Sequence, residues 1–433
     1  MTFKKIIILI ISILIIIYIS GCESKLPGVT TLAITDITES SALSGGNVYN
    51  EGDAPVIARG IVWSKNIPTL VSHEGITSDG VGPGLFSSII TGLDSYADYN
   101  VRAFASNEYG TVYGNIQSFT TLAILPGIIT LNPVEVTTES AKLRGKVINA
   151  GDLDIIERGI YWSTSPDPEI SGTKVKSGAG EGSFSVTLTG LSPNTIYYVK
   201  AYASHIQGES YGSEVIFATM FNLTEEIVFN PDLTYGSVTD IEGNVYKTIQ
   251  IGSQTWMAEN LKTTKFNNDS AILNVTDNSD WIGLSSPAYC WYNNDINNKN
   301  LIGALYNWFT VNTGLLCPTG WHVPTDNEWS ALTSYIGGEN IAGAEMKETG
   351  MTHWAEPNMG ATNSSGFTAL PGGQRHESDG TFIGASLYDV WWSSTEYNIY
   401  KSWYRSVATI NIVVFRSSGS LKQRGFSIRC IKD

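Results

Sequence analysis

The chain repeats itself once, and that repeat limits its architecture more than any other feature. Thr38-Glu39-Ser40 recurs as Thr138-Glu139-Ser140, and Arg59-Gly60-Ile61-Val62-Trp63-Ser64 recurs as Arg158-Gly159-Ile160-Tyr161-Trp162-Ser163. Thr91-Gly92-Leu93 returns as Thr189-Gly190-Leu191, and Val101, Ala103 and Ala105 return as Val199, Ala201 and Ala203. The offset shortens from 100 residues at Thr38 to 98 at Thr91, so two units of one size differ by short loop deletions. That period suits one immunoglobulin-like sandwich per copy. Local patterning agrees: 196–203 is rich in aromatics and Val, as a half-buried strand requires. Turn clusters such as Asn149-Ala150-Gly151-Asp152 punctuate the strands. No His, Cys or carboxylate cluster with metal or catalytic spacing falls within either copy, so both read as spacers.

In each copy a Leu is followed six residues later by a Tyr, Leu93 with Tyr99 and Leu191 with Tyr197. The spacing resembles the tyrosine corner of fibronectin type III domains, whose hydroxyl ties a strand to the preceding connection. Residues 28–121 and 131–219 resemble bacterial fibronectin type III repeats, which implies two all-β sandwiches with Trp63 and Trp162 in their cores. Residues 122–130 and 220–235 are expected to be linkers, the first broken by Pro126-Gly127.

The N-terminus carries a basic head, Lys4-Lys5, then an Ile/Leu run from Ile6 to Ile19, then Ser20-Gly21-Cys22. The apolar run is short for a bilayer span, and small residues follow it, as in a secretory signal. A Cys at that point resembles the bacterial lipoprotein signal. The resemblance implies removal of 1–21, lipidation of Cys22, a tether over 22–27 and attachment to the cell-envelope membrane. Glu23 in place of Asp resembles lipoproteins sorted to the outer membrane, with the periplasmic or external face left open. The formal net charge of −15 becomes −17 once Lys4 and Lys5 leave, which argues against nucleic acid as a partner. Three cysteines remain, Cys290, Cys317 and Cys430, so one disulfide and one leftover thiol are expected outside the cytoplasm, with the pair left open.

Composition shifts sharply after residue 220, where ten of the 12 tryptophans lie. Val238–Tyr246 and Thr248–Met257 each read as a hairpin with a Gly-containing turn. Thr325-Asp326-Asn327-Glu328 is a capping box. It predicts a helix from Asp326 to about Ile336, stopped by Gly337-Gly338, with Trp329, Leu332 and Ile336 on its buried face. A second short helix is expected over 302–311, and strands around Phe367, Trp391, Trp403 and Ile428. Helices on strands with long polar connections make an α+β domain. The blocks Tyr289-Cys290-Trp291-Tyr292, Cys317-Pro318-Thr319-Gly320-Trp321-His322, Gly366-Phe367-Thr368-Ala369-Leu370-Pro371-Gly372-Gly373, Trp391-Trp392-Ser393-Ser394-Thr395-Glu396 and Gly425-Phe426-Ser427-Ile428-Arg429-Cys430 together resemble the Fibrobacter succinogenes major paralogous domain. The resemblance covers 236–433. It implies an α+β fold like C-type lectins and formylglycine-generating enzymes, and with it a Cys317–Cys430 disulfide. Cys290–Cys317 is the alternative.

Little in this module points to catalysis. His73, His205, His322, His353 and His376 form no metal pair and neighbour no nucleophile motif. His322 reads as a core residue. The reactive cysteine pair of formylglycine-generating enzymes maps onto none of these thiols, so no catalytic residue is assigned and no cofactor is expected. Asn293–Asn300 is rich in oxygens, the chemistry calcium prefers, but lacks the Gly and bidentate Glu of an EF-hand loop and reads as a solvated loop. Glu356-Pro357-Asn358 matches the sugar-and-calcium tripeptide of mannose-type lectins, without its Trp-Asn-Asp partner. Indole faces beside amides and hydroxyls suit sugar rings, and equally suit a core that needs bulky fillers. Trp354, Trp391, Trp392, Trp403 and Tyr404 are the ligand-binding candidates. The expected function is a non-catalytic surface lipoprotein whose lectin-like head binds glycan or a surface protein. A structural surface protein without a discrete ligand is the alternative, and an enzyme related to formylglycine-generating enzymes comes third.

Overall fold

The computed structural model describes residues 25–433, so Cys22 and the expected signal segment lie outside the described residues. Contacts divide the chain into two compact units. The first ends at Gly127 and includes Asn149–Ile155 and Ser204–Glu209; the second comprises Ile128–Ile148, Ile156–Ala203 and Ser210–Asp433. Among the described residues no helix is long and apolar enough to cross a membrane.

The first repeat is a two-sheet sandwich. Its strands are β1 (Gly28–Thr31), β2 (Ser41–Asn50), β3 (Ala58–Ser64), β4 (Gly75–Ile76), β5 (Gly84–Thr91), β6 (Asp98–Asn107), β7 (Gly110–Tyr113) and β8 (Gln117–Thr120). One sheet runs β1-β2-β5; the other runs β4-β3-β6-β7, with β8 also on β6. Alternation sets the faces: in β5, Phe86, Ser88 and Ile90 point inward while Leu85, Ser87 and Ile89 face water. Phe86 and Ile90 meet Ile61, Val101 and Ala103 in one core cluster.

The second repeat rebuilds this plan with β9 (Gly127–Val134), β10 (Ser140–Asn149), β11 (Glu157–Ser163), β12 (Thr173–Lys176), β13 (Gly182–Thr189), β14 (Ile196–His205), β15 (Gly208–Tyr211) and β16 (Val215–Ala218). Its sheets run β13-β10-β9 and β12-β11-β14-β15, with β16 on β14. Because β9 begins at Gly127, the last part of the expected 122–130 linker is strand. The structural register also corrects the sequence match. Thr38 Oγ1 lies 2.8 Å from Ser41 Oγ, and the equivalent pair is Thr137 with Ser140, also 2.8 Å. The Thr38/Thr138 identity is therefore one residue out of step with the fold.

Two repeated residues have the same task in both copies. Arg59 Nη1 donates to the carbonyls of Gly82 and Pro83, and Arg158 Nη1 to those of Gly180 and Glu181. Each guanidinium thereby holds a loop whose glycines, Gly80, Gly82 and Gly84 or Gly178, Gly180 and Gly182, all have positive φ, a region that strains side-chain-bearing residues. The tyrosine hydroxyls also act alike: Tyr99 accepts from the Asp94 amide and Tyr197 from the Ser192 amide, each at 3.0 Å. Trp63 and Trp162, expected as core residues, are half-buried; Trp63 packs against the core cluster and Trp162 lies 5.7 Å from Tyr197.

The C-terminal module contains β17 (Gly236–Thr239), β18 (Val245–Ile251), β19 (Gln254–Met257), β20 (Leu273–Asn274), β21 (Ala288–Trp291), β22 (Ala304–Tyr306), β23 (Trp321–His322), β24 (Gly372–Arg375), β25 (Phe382–Ala385), β26 (Tyr388–Glu396), β27 (Lys401–Ala408), β28 (Phe415–Leu421) and β29 (Ile431–Lys432). Its sheets run β17-β18-β19-β29-β23, β20-β21-β22 and β25-β24-β26-β27-β28. Both expected hairpins form, β17–β18 and β18–β19, the second turning through Gly252-Ser253. The capping box forms too: Thr325 accepts from the Glu328 amide and Glu328 reaches back to the Thr325 amide, starting a helix over Asp326–Tyr335. That helix buries Trp329 and Leu332, and Ile336 packs on the same cluster. A further helix, Glu339–Met346, follows.

Three local expectations fail. Residues 304–306 are strand rather than helix, because Tyr306 pairs with Tyr289 in a buried ladder and Asn307 caps the short helix Trp308–Val311. Phe367 and Ile428 lie in irregular backbone, where each is fully buried without belonging to a sheet. The expected 220–235 linker is also integral: Met220 and Phe221 are buried in one module cluster, and Phe229, Leu233 and Tyr235 pack on another.

Cys317 and Cys430 are disulfide-bonded across 113 residues, and Cys290 is free and buried. Reducing that bond releases a long loop in the unfolded chain, so the module should lose about 4–5 kcal/mol of stability; denaturant unfolding with and without reductant measures this. Tyr99→Phe and Tyr197→Phe should each cost about 0.5–1.5 kcal/mol, the worth of one partly buried hydrogen bond. Urea unfolding of the two variants against the parent chain checks the figure.

Candidate functional site

Three of the module's sequence blocks, 366–373, 391–396 and 425–430, meet at a buried polar hub. Asn260, just after β19, sits at its centre. Its Oδ1 accepts from Arg429 Nε at 2.6 Å and from Trp391 Nε1 at 3.0 Å. Its Nδ2 donates to Asp389 Oδ2 at 2.8 Å and to the Ile302 carbonyl at 3.0 Å. Asp389 Oδ1 accepts from Ser427 Oγ and the Val390 amide, both at 2.9 Å. Arg429 also donates to the carbonyls of Met257, Phe367 and Thr368. Burial pushes the Asp389 carboxyl up to about 7 against the pull of Asn260, Ser427 and the Arg429 charge. Burial likewise draws Arg429 down to about 10. Such a network is stabilising only when every member is satisfied, and this one ties β19, β26, the 366–373 turn and the C-terminal segment together.

Other buried charges are similarly committed. Lys347 Nζ donates to the carbonyls of Met359, Ala408 and Asn411, and its burial draws the amine down to about 8. His353 Nδ1 lies 2.7 Å from Glu348 Oε2 with both residues fully buried. Asp326 receives Arg405 and Arg416 together, each at 2.6 Å.

A cleft of about 770 Å³ opens where the second sandwich meets the module. The sandwich contributes Val134, Glu135, Thr138, Lys142 and Arg144; the module contributes Asn278, Asn293, Asn294, Asn298 and Phe382; Met220 and Leu223 lie between. Arg375 organises the module wall. This fully buried guanidinium donates to the carbonyls of Val275, Thr276, Asp277 and Gly380 and to Asn278 Oδ1. It also stacks 4.5 Å from Trp281 and 4.8 Å from Phe382. Asn293 and Asn294 both adopt positive φ, which Asn tolerates better than most residues. Asn293 Nδ2 then reaches the Val136 carbonyl of the sandwich at 2.8 Å, and Asn294 Nδ2 reaches the Thr276 carbonyl at 2.8 Å. Further clasps join the same two bodies: Asn194 Nδ2 to the Met351 and Trp354 carbonyls, and Ser386 Oγ to the Thr219 carbonyl.

The ligand-binding candidates divide. Trp354, Trp391 and Trp392 are fully buried, with their indole nitrogens on the Ala369 carbonyl, Asn260 Oδ1 and the Tyr306 carbonyl. Their faces are packing surfaces, which corrects their assignment as ligand contacts. Trp403 and Tyr404 are half-buried; Arg416 covers one Trp403 face at 4.3 Å, Tyr397 meets the ring edge-on, and Tyr404 packs on Phe426. His322 is not a core residue: its side chain is 38% exposed and bridges Glu328 Oε1 at 2.9 Å and Asp433 Oδ1 at 2.6 Å. The Asn293–Asn300 oxygens do not converge either, because Asn294 turns outward to Thr276 and Asp295 caps the short turn Ile296–Asn300. Among the described residues no three His, Cys, Asp or Glu side chains gather to hold a metal. Asn358 of the Glu356-Pro357-Asn358 tripeptide is buried with its amide on the Glu348 and Gly350 carbonyls.

The sandwich wall of the cleft was missed from sequence, because the repeats read as spacers. A signal existed. In the structural register Lys142, Arg144 and Lys146 of β10 stand where β2 has Leu43, Gly45 and Asn47, so three cations replace uncharged residues on this strand.

Residues 249–432 match the family model of the Fibrobacter succinogenes major domain, a span that contains all the hub residues. No curated relative matches the chain. Among solved structures, a segment of two fibronectin type III domains from chicken tenascin is 16% identical over 45% of this chain and 99% of its own, with a TM-score of 0.26. The chicken CNTN1 FN1–FN3 domains are 13% identical over 45% of this chain and 68% of theirs, with a TM-score of 0.24. The sensor domain of the anti-sigma factor RsgI4 of Pseudobacteroides cellulosolvens is 17% identical over 23% of this chain and 99% of its own, with a TM-score of 0.19.

The hub has a pH signature. An unfolded Asp releases its proton near pH 4, whereas folded Asp389 holds it to about 7. The folded state therefore binds more protons between those values, and this group's contribution to stability is full below about pH 4 and lost as pH rises through about 7. Unfolding free energies across that range should fall for the parent chain and flatten for Asp389→Asn.

Proposed function

We propose that this chain is a lipid-anchored protein of the cell envelope whose C-terminal module, joined to the second sandwich, binds a glycan or a surface protein without catalysis. The observation that carries the reading is the cleft shared by sandwich and module, because ligand sites form preferentially where two bodies meet. Anchoring rests on the signal-like N-terminus ending at Cys22 and on Glu23 after it, which direct the chain to the outer membrane. In chain order two sandwiches separate the tether from the head. The head is read as C-type-lectin-like in fold, on its capping-box helix following Cys317 and the staple from Cys317 to Cys430 beside the last strand.

Expression of the chain in a lipoprotein-processing bacterium tests the anchor. Labelled palmitate should enter the parent protein, and Cys22→Ala should move it from the membrane to the soluble fraction; unchanged partitioning would remove the tether from this reading. Cells displaying the parent chain should adhere to glycan or host-matrix arrays. If they adhere to nothing, a structural surface role without a ligand takes its place.

A further inference from the structure

The charge pattern of the sandwich–module cleft narrows the ligand. Two cations line it, and each already has an acid. Lys142 Nζ lies 3.0 Å from Glu135 Oε1, and Arg144 Nη2 lies 3.9 Å from Asp379 Oδ2 while its Nε donates to the Asn132 carbonyl. Asp295 adds another carboxylate to the lining. Glu135 and Asp295 offset Lys142 and Arg144 in the lining, so the cleft presents no net positive charge to a phosphate, carboxylate or sulfate. Anionic ligands are thereby disfavoured.

What the cleft offers instead is neutral hydrogen bonding beside an apolar face. The exposed amides of Asn278 and Asn294 and the hydroxyl of Thr138 stand at its rim, and half-buried Phe382 and Leu223 supply apolar surface. Asn298 adds a more pointed observation. It lines the cleft while only 1% exposed, its Nδ2 donates to the Tyr292 carbonyl, and its Oδ1 has no partner among the described residues. A buried acceptor left unmatched carries a desolvation penalty, so a ligand donor that reaches it gains more than a solvent-exposed contact would. A sugar ring has this combination of properties: several hydroxyl donors and acceptors on its edge, apolar C–H faces, and no charge. The cleft volume also falls within the range of about 300–1,000 Å³ typical of small-ligand sites.

We infer that this cleft is a binding site for a short neutral oligosaccharide. The inference rests on the binding role proposed above and assigns it a place and a ligand class. Asn298 Oδ1 accepts from a sugar hydroxyl, Asn278 Nδ2 and Asn294 Oδ1 (the ends not bonded to Arg375 and Thr276) pair with further hydroxyls, and a ring face lies on Phe382. Because the walls come from both the second sandwich and the module, neither body alone would form the site.

The test uses the full-length protein in detergent and a panel of neutral gluco-, manno- and xylo-oligosaccharides, with galacturonate oligomers as the acidic counterparts. Calorimetry should give binding to at least one neutral series and weaker or no binding to the acidic one. Thr138→Trp, which fills the cleft from the sandwich rim, and Asn298→Leu, which removes the unpaired acceptor, should each weaken binding at least about tenfold. The thermal unfolding midpoint of each variant verifies that it folds. Tighter binding of the acidic oligomers, or neutral binding that survives both variants, would overturn the assignment while leaving the general binding role standing. Failure of the parent protein to bind any oligosaccharide on the panel would overturn it too. The general role would fall with it only if displaying cells also failed to adhere to matrix-protein arrays.

Discussion

The C-terminal module depends on one buried side chain being matched on every side. Asn260 sits where a carboxylate, a guanidinium and an indole all need a partner, and an amide has a donor and an acceptor end to serve them. Arg429 and Asp389 are both buried, and neither charge would be tolerated there alone. The geometry gives the network its value. Asn260 follows the first hairpins, Asp389 and Trp391 lie on a central strand, and Arg429 closes the chain near the disulfide at Cys430. Three regions remote in sequence must dock together before any of these groups is satisfied, which favours one packing over its near alternatives.

The same logic operates where the second sandwich meets the module. Asn194, Asn293 and Ser386 each donate across that boundary to a backbone carbonyl. Met220 and Phe221 continue from the end of β16 directly into the module's apolar cluster. The segment between the two bodies is thus packed structure rather than a hinge, and the cleft it borders has walls from both. A flexible connection could not hold Thr138 and Lys142 opposite Asn294 and Phe382 as one site.

Much of the fold was legible in the residues, and much of the site was not. Hairpins, the capped helix and the tyrosine corners have local causes: a turn residue, an i to i+3 side-chain bond, a hydroxyl reaching back a few residues. Phe367 and Ile428 defeated strand patterning because they are buried in irregular backbone, and a buried apolar run looks the same in either setting. The tryptophans misled for a related reason. An indole beside Asn and Ser serves a sugar or a core equally well, and only the partner of its N–H separates the two. For Trp354, Trp391 and Trp392 that partner is internal.

The residues by themselves determined what local physics can decide: two repeated sandwiches, their tyrosine corners, the order of the module's blocks and the helix capped by Thr325. Tertiary structure decided which polar groups remain available, because availability is a property of three-dimensional neighbours. It committed Asn260 and Arg429 to the interior and paired Lys142 with Glu135. It left Asn298 Oδ1 without a partner among the described residues, on a wall whose opposite side comes from a repeat more than 100 residues earlier in the chain.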